Sequence, residues 1–235
     1  MSGVKLHKIS KTFILKNSEH TVLSDLSMDA DAHDITVILG KSGCGKTTLL
    51  RMIGGLESID CGTITFTEKK KTAFVFQEAR LMPWLSVRGN IVFGLKKSEI
   101  VPEEIDRLIR TVGLSSFADA YPNQLSGGMQ QRVALARALA YKPSFILMDE
   151  PFAALDHFTR HQMQQELIRI QEEQQCGMLF VTHSIDEALL LAQKIIVLEK
   201  GHVKNEYLIH EKRSERDLLN PSFIARKKDL IADLY

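Results

Sequence analysis

The stretch from residue 35 to residue 55 constrains the fold of this chain more than any other part of it. Residues 35–40, ITVILG, are a compact run of β-branched and other apolar side chains, which is typical of a strand buried on both faces. The segment GKSGCGKTT, residues 40–48, follows directly, and a helix is predicted from Lys46 to the pair Gly54 and Gly55. A strand, a loop of the form G-x-x-x-x-G-K-[ST] and a helix together predict a phosphate-binding loop.

The rest of the chain alternates between strand and helix patterns. Strands are predicted at residues 6–12, 22–28, 63–67, 72–76, 145–148, 178–182 and 194–200, and helices at 157–173 and 184–192. A mostly helical stretch, from about residue 83 to residue 140, interrupts the strands. This order predicts an α/β fold with a mainly parallel sheet and helices on both faces. The C-terminal tail resembles two short amphipathic helices that are separated at Asn220 and Pro221.

Composition excludes some classes of function. The net charge of +1 gives no overall attraction to nucleic acid, and no apolar run reaches the roughly 18–20 residues that span a bilayer. The N-terminus carries no apolar signal segment, and the three scattered cysteines suit a reducing cytoplasm. We therefore expect a chain that is soluble by itself and that can dock on a membrane protein.

The glycine-rich loop has the chemistry of a nucleotide site. Its glycines let N–H groups converge on phosphate oxygens, Lys46 supplies a charge to the β- and γ-phosphates, and the hydroxyl of Thr47 can bind Mg²⁺. Cys44 is expected to be a small filler whose pKa the free N–H groups could lower, so that thiol reagents inhibit and bound ATP protects. The predicted nucleotide-binding residues are Gly40, Lys41, Ser42, Gly43, Cys44, Gly45, Lys46, Thr47 and Thr48.

An acidic pair predicts hydrolysis as well as binding. Asp149 and Glu150 follow the apolar run FILM, at the end of a strand where parallel sheets place ligands. Asp149 can hold Mg²⁺ through water, and Glu150 can take a proton from the attacking water. The alternative is that the pair caps the next helix, which Pro151 makes less attractive.

The segment LSGGMQQR, residues 125–132, predicts a second helix start that faces an anion. Ser126, Gly127 and Gly128 precede the helix-forming run VALARALA, and the first N–H groups of a helix carry a positive partial charge. The alternative is purely structural, with Ser126 as the N-cap and the glycines as a turn.

These motifs, taken in order, resemble the ATPase subunit of ABC transporters. Gln77 in VFQEARLMPW matches the Q-loop, Asp156 in AALD matches the D-loop, and His183 in FVTHSIDEA matches the switch histidine. The resemblance covers nearly the whole chain. It implies one P-loop NTPase domain over residues 1–235, with an antiparallel β subdomain beside the parallel core. The nucleotide-binding core would comprise residues 1–82 and 141–208, the inserted helical subdomain residues 83–140 and the helical tail residues 209–235.

The resemblance also assigns roles at the site. Two ATP molecules, each with Mg²⁺, would lie between the subunits of a homodimer, with Ser126, Gly127 and Gly128 facing the γ-phosphate held by the partner. Gln77 would reach Mg²⁺ or the attacking water, His183 would contact the γ-phosphate, and Phe13 would stack on adenine. The metal set would be Thr47, Gln77 and Asp149. Met129 stands where the family most often has Gln, and its side chain cannot donate a hydrogen bond.

Further resemblance is to importer ATPases, most closely to the nitrate, sulfonate and taurine group. It implies a peripheral protein on the cytoplasmic face of the membrane, which powers a separate permease and works indirectly with a solute-binding protein. The apolar residues Leu81, Met82, Trp84 and Leu85 would grip the permease or belong to the subdomain core. Bicarbonate, thiamine-precursor and other small organic cargo stay open.

Three rival classes are weighed against this interpretation. A chromosome-type ABC ATPase lacks support because the chain has no long heptad insertion and no basic excess. A ribosome-acting ABC protein should carry two cassettes, and a non-catalytic scaffold should have lost its catalytic residues. We predict no nucleic-acid partner. A salt-dependent duplex-binding assay separates the first two classes from a transporter ATPase, and slow ATPase activity of the isolated chain excludes the third.

Overall fold

The computed structural model describes residues 3–15, 18–67 and 71–234. In chain order the strands are β1 (Gly3–Leu15), β2 (Ser18–Asp31), β3 (Ile35–Leu39), β4 (Cys61–Phe66), β5 (Thr72–Val75), β6 (Phe145–Asp149), β7 (Gly177–Thr182), β8 (Lys194–Glu199) and β9 (His202–Leu208). The helices are α1 (Lys46–Ile53), α2 (Val87–Val92), α3 (Pro102–Thr111), α4 (Gly127–Ala140), α5 (His157–Gln174), α6 (Ile185–Leu191) and α7 (Pro221–Leu234).

The central sheet has the order β5-β6-β7-β3-β8-β9. The pairs from β5 to β8 are parallel, and only β9 runs antiparallel to its neighbour β8. Every residue of β3, β6 and β7 is buried, which explains their continuous apolar sequences. Because these three strands are parallel, the segments that follow Leu39, Asp149 and Thr182 emerge at the same edge of the sheet.

One side of α1 packs on the central sheet, and a second, antiparallel sheet of order β2-β1-β4 covers its other side. Strands β1 and β2 extend beyond the predicted runs 6–12 and 22–28 and pair as a hairpin, with residues 16 and 17 between them outside the described residues. The predicted strands 63–67 and 72–76 exist but separate, because β4 pairs with β1 whereas β5 pairs with β6. Side chains of Leu49, Leu50 and Ile53 fill the space between the two sheets.

The helical stretch and the tail pack on the face of the central sheet opposite to α1. Helices α2, α3 and α4 occupy the predicted helical region, with short 3-10 turns between them. The expectation of two tail helices is wrong: one 3-10 turn, Arg213–Glu215, precedes the single helix α7. The reason is that Arg213 and Arg216 donate hydrogen bonds to the carbonyl oxygens of Leu189, Leu190 and Leu191, which fixes this segment at the end of α6.

In the part of the chain that the structure describes, no helix has both the length and the apolar character needed to cross a bilayer.

Candidate functional site

The glycine-rich loop joins β3 to α1 and has the backbone of an anion cradle. Gly43 and Gly45 have positive φ angles, of 81° and 104°. A Cβ atom at Gly45 would lie 3.0 Å from the Val22 carbonyl oxygen and 2.8 Å from Cδ2 of Leu23, so a side chain would be strained and crowded there. The first turn of α1 contains no acidic residue, and its N–H groups have no partner within the helix. The loop therefore fits a phosphate group.

Lys46 folds back over this loop. Its side chain is buried, with the residue only 6% exposed. The Nζ atom donates to the carbonyl oxygens of Gly40, at 2.7 Å, and Lys41, at 2.9 Å. These bonds hold the ammonium group beside the loop on which phosphate oxygens would lie.

Thr47 and Asp149 bring two hard oxygen donors together. The Thr47 hydroxyl donates to Oδ1 of Asp149 at 3.0 Å. Burial raises the pKa of Asp149, while the hydrogen bond from Thr47 acts in the opposite direction. Among residues 3–15, 18–67 and 71–234 there is no group of three or more His, Cys, Asp or Glu side chains suited to a metal. An ion here would thus need oxygen ligands from a nucleotide and water, which is how Mg²⁺ is commonly held.

Glu150 and His183 form a pair across the ends of β6 and β7. His183 Nδ1 lies 3.0 Å from Oε2 of Glu150. Glu150 has a left-handed backbone with φ of 43°, and its N–H donates to the Val181 carbonyl oxygen. The acidic pair does not cap α5, because Asp156 is the N-cap and its carboxylate accepts the N–H groups of the first turn. The side chain of Glu150 is thus available to a water molecule and to His183.

These elements line one cleft of about 500 Å³. It brings Gln77, at the end of β5, together with the phosphate loop, Glu150 and His183. The lining residues are Val22, Ser42, Gly43, Gly45, Lys46, Thr47, Thr48, Gln77, Glu150 and His183. Val22 belongs to β2 and was missed by the sequence analysis, since nothing in its local pattern distinguishes it. Phe13 is not among these residues; it lies half-buried in β1, where Nζ of Lys11 is 5.0 Å from its ring centroid. The stacking of Phe13 on adenine stays a prediction.

Cys44 differs from the sequence-based expectation. Its residue is 9% exposed, and burial raises the pKa of the thiol, although Lys46 acts to lower it. The expected lowering is wrong, because removal of the sulfur from water outweighs the nearby positive groups. Cys44 and Lys41 face a separate cavity of about 250 Å³ beside the end of α7.

The segment LSGGMQQR (residues 125–132, the signature segment) contains the start of α4. Within the part of the chain that the structure describes, none of its residues lines the cleft of its own chain. Ser126 is the N-cap, with its hydroxyl accepting the N–H of Met129 at 3.2 Å. A Cβ atom at Gly127 would meet nothing within 4 Å, whereas one at Gly128 would lie 2.9 Å from Cδ2 of Leu155. One glycine therefore leaves the helix start open, and the other permits close approach of the loop before Asp156.

Two residues of α4 that the sequence analysis missed hold the segment around Gln77. Gln131 is buried and donates from Nε2 to the Phe76 carbonyl oxygen at 2.8 Å. The guanidinium group of Arg137 donates to the carbonyl oxygens of Ala79 and Arg80, each at 3.0 Å. Their only signal in the sequence is a polar residue on an otherwise apolar helix face.

Comparison with known proteins gives consistent matches over most of the chain. The ABC transporter family profile matches residues 23–153. An uncharacterised ABC transporter ATP-binding protein of Methanocaldococcus jannaschii is 39% identical over 240 residues, which cover 97% of this chain and 90% of that protein. An aliphatic sulfonates import ATP-binding protein of Granulibacter bethesdensis is 44% identical over 213 residues, 91% of this chain and 87% of the relative.

A solved structure resembles the whole architecture. It is a dimeric ATP-binding cassette in a post-hydrolysis state bound to ADP and Pi, with a TM-score of 0.81 and 32% identity. The match covers 89% of this chain and 100% of that chain. The fold class predicted from the sequence is confirmed by this likeness.

Proposed function

This chain belongs to the ABC transporter ATP-binding family and is an ATPase, and from that premise we propose that it powers an importer of small anionic solutes. The observation that carries the proposed hydrolysis is the single cleft in which Lys46, Glu150 and His183 converge. The import of anions is proposed from the relatives named for aliphatic sulfonate import. A phosphate loop alone supports nucleotide binding. The addition of a carboxylate–imidazole pair that lines the same cleft, at the same sheet edge, supports hydrolysis.

The residues of the cleft divide the reaction between them. Backbone N–H groups of residues 43–48 and the ammonium group of Lys46 bind the β- and γ-phosphates. Glu150 accepts a proton from a water whose oxygen attacks the γ-phosphorus, and the bond between that phosphorus and the β–γ bridging oxygen breaks to give ADP and phosphate. His183, held by Glu150, contacts the γ-phosphate, and Gln77 orients the water. Mg²⁺, which Thr47, Gln77 and Asp149 would help to hold, neutralises charge on the phosphates when it is bound.

The remaining predicted residues belong to a composite site. We assign Ser126, Gly127 and Gly128 to the γ-phosphate bound by a second copy, since α4 presents a capped helix start away from its own cleft. Asp156 then lies between the two sites, and Phe13 stacks on adenine. The dimeric state of the solved ATP-binding cassette, seen in two structures of that protein, supports this assignment.

The proposed partners are a permease in the membrane and, indirectly, a solute-binding protein. The chain would act at the cytoplasmic face of the membrane. Trp84 is 68% exposed and suits contact with a permease, whereas Leu81 packs against the main core. The relatives named for aliphatic sulfonate import, at about 40% identity, favour a sulfonate or a similar anion as cargo.

The test is Glu150→Gln, with Glu103→Gln on the exposed face of α3 as its matched control. We expect Glu150→Gln to bind Mg-ATP as the wild type does, to lose at least about 100-fold in kcat and to form dimers with saturating ATP. Phosphate release measures kcat, and light scattering with saturating ATP measures dimer formation. The control should hydrolyse ATP like the wild type and dimerise no more than it does.

Two results would contradict the proposal. Wild-type turnover in Glu150→Gln removes Glu150 from the reaction. Monomers alone, at every concentration of the nucleotide-saturated variant, remove the composite site.

A further inference from the structure

We propose that Glu187 is a positioning residue that fixes His183 beside Glu150 and links it to the segment preceding α5. The inference rests on the proposed function, because it concerns how that function's catalytic pair is held. Glu187 lies in the first turn of α6 and is itself 7% exposed, so it does not line the nucleotide cleft.

A hydrogen-bond relay joins the two neighbours of His183 in the chain, Thr182 and Ser184, to Glu187. The Ser184 N–H donates to Oγ1 of Thr182 at 3.0 Å, and the Thr182 hydroxyl donates in turn to Oε2 of Glu187 at 2.6 Å. The Glu187 N–H closes the circuit by donating to the Ser184 hydroxyl at 3.3 Å. Thus the Glu187 carboxylate binds the residue before His183 directly, and the residue after His183 is held through the Thr182 hydroxyl and the Glu187 N–H.

This arrangement departs from an ordinary helix cap. In the pattern S-x-x-E, which residues 184–187 match, the glutamate usually accepts the N–H of the capping serine directly. Here the hydroxyl of Thr182 stands between them. A direct cap would stabilise α6 alone, whereas the inserted hydroxyl also ties the end of β7 to the helix. The backbone of His183 is therefore held between the two elements, while its side chain is 64% exposed and free to face the cleft.

The second oxygen of Glu187 faces α5. Nε2 of Gln164 lies 3.5 Å from Oε1, and Nε of Arg160 lies 3.8 Å from it. Arg160 also donates from Nη2 to the Leu155 carbonyl oxygen at 2.9 Å, next to the N-cap Asp156. One carboxylate thus joins the residue pair around His183 to the loop that carries Asp156.

The surroundings of Glu187 leave room for its contact with Arg160 to shorten. The Nε atom of Arg160 is buried without a hydrogen-bond partner, which costs free energy unless it comes closer to Glu187. A small cavity of about 60 Å³ lies among Glu150, Ala153, Arg160, Thr182, His183, Ser184 and Glu187. Movement of the loop before α5 can tighten the contact between Arg160 and Glu187, and the relay would transmit it to His183.

The experiment uses paired variants of the 235-residue chain. Thr182→Val removes the donor hydroxyl at nearly constant volume, and Thr182→Ser keeps it. Glu187→Gln keeps an acceptor for Thr182 but removes the charge that faces Arg160. Glu173→Gln, an exposed carboxylate paired with Arg169 on α5, is the matched control. For each variant, kcat and KM for Mg-ATP, nucleotide affinity and the melting temperature are measured, with and without His183→Ala.

We expect Thr182→Val to lower kcat roughly 10- to 100-fold with little change in nucleotide affinity, and Thr182→Ser to restore most of it. Glu187→Gln should lower kcat to a smaller extent, and Glu173→Gln should leave it unchanged. In the His183→Ala background, Thr182→Val should cost almost nothing further, because the residue it positions is gone.

Three outcomes would overturn the inference. The first is wild-type kcat in a folded Thr182→Val, with His183→Ala slow; the relay then fails while the proposed function stands. The second is an equal loss of kcat in both backgrounds, which indicates a general structural effect. The third is wild-type kcat in His183→Ala, which removes His183 from the proposed mechanism and the relay with it.

Discussion

At the scale of single residues, Cys44 illustrates how burial can outweigh a favourable local dipole. Free N–H groups and the ammonium of Lys46 surround the loop, and such groups lower the pKa of a thiol. The sulfur is nevertheless removed from water, and the pKa of Cys44 is raised. The sequence shows the loop but not the neighbouring strands and helix that cover it.

This difference predicts the order in which the cysteines react with iodoacetamide at pH 8. Cys61 is exposed and should be alkylated first. Cys44 and Cys176 are buried, and burial raises the pKa of Cys176 to about 11, so both should react more slowly. Peptide mass spectrometry over a time course gives the three rates.

The control is the same reaction in denaturant, where the three rates should become similar. Labelling of Cys44 as fast as Cys61 in the native protein would show that the phosphate loop opens readily to solvent.

At the scale of elements, helix α4 both begins at the signature segment and holds the segment around Gln77. Gln131 is the central contact, because its buried amide group satisfies the Phe76 carbonyl oxygen. Residues at the start and in the middle of one helix thus serve two parts of the proposed site.

Gln131→Met tests that contact. The substitution keeps the length of the side chain and leaves the Phe76 carbonyl oxygen without its donor, which should lower the free energy of unfolding by about 1–3 kcal/mol. Urea denaturation measures the loss, with exposed Gln165→Met on α5 as the control. An equal, small effect of both substitutions would rule out a structural role for the bond.

One carboxylate of the C-terminal helix α7 joins this helix to β9. Asp233 accepts hydrogen bonds from the Tyr207 hydroxyl at 2.6 Å and from Asn205 at 2.7 Å, so β9 and α7 are joined. Partial burial, followed by the bond to Asp233, raises the pKa of Tyr207 to about 12. The folded chain therefore holds this phenol proton more tightly than the unfolded chain, whose tyrosine pKa is about 10.

The resulting pH dependence can be measured. Tyr207→Phe should lower the free energy of unfolding by about 1 kcal/mol below pH 10, since the bond is partly exposed. Because the folded-state pKa is the higher one, the contribution of the phenol is complete below pH 10 and is lost as the pH rises from 10 to 12. The difference between wild type and variant should shrink over that interval. Tyr141→Phe is the control, and a difference that is constant with pH would contradict the assignment.

The sequence predicted the buried strands and the phosphate loop because their signals are local. The apolar runs of β3, β6 and β7 are recognisable as buried strands from their composition alone. The ends of β6 and β7 predict where Asp149 and His183 lie. Strand β9 was missed because its sequence HVKNEYL is polar and largely exposed at the sheet edge. Contacts such as that of Gln131 with Phe76, 55 positions apart, depend on tertiary packing and leave no local pattern.

At the scale of the whole molecule, the proposed composite site would take one half from the phosphate cleft and the other half from the start of α4 in a second copy. The phosphate cleft opens at the carboxyl edge of the central sheet, whereas Ser126 begins a helix outside it. The proposed coupling of hydrolysis to association follows from this separation.

The proposed cargo can be tested in the source organism. Deletion of the gene should abolish growth with an alkanesulfonate as the only sulfur source and leave growth on sulfate unchanged. The wild-type gene should restore growth, and Glu150→Gln should not. Normal growth of the deletion strain on sulfonates, in the absence of a second importer, would direct attention to other small solutes.

The bonds of Lys46 to its own loop have a consequence for how nucleotides are recognised. An ammonium group has three hydrogens, and two of them are donated to the carbonyl oxygens of Gly40 and Lys41. Phosphate oxygens therefore meet a charge whose position the loop has already fixed, so little side-chain entropy is lost when a nucleotide binds. A ligand without terminal phosphates gains nothing from this preorganised charge, which favours nucleoside triphosphates over nucleosides.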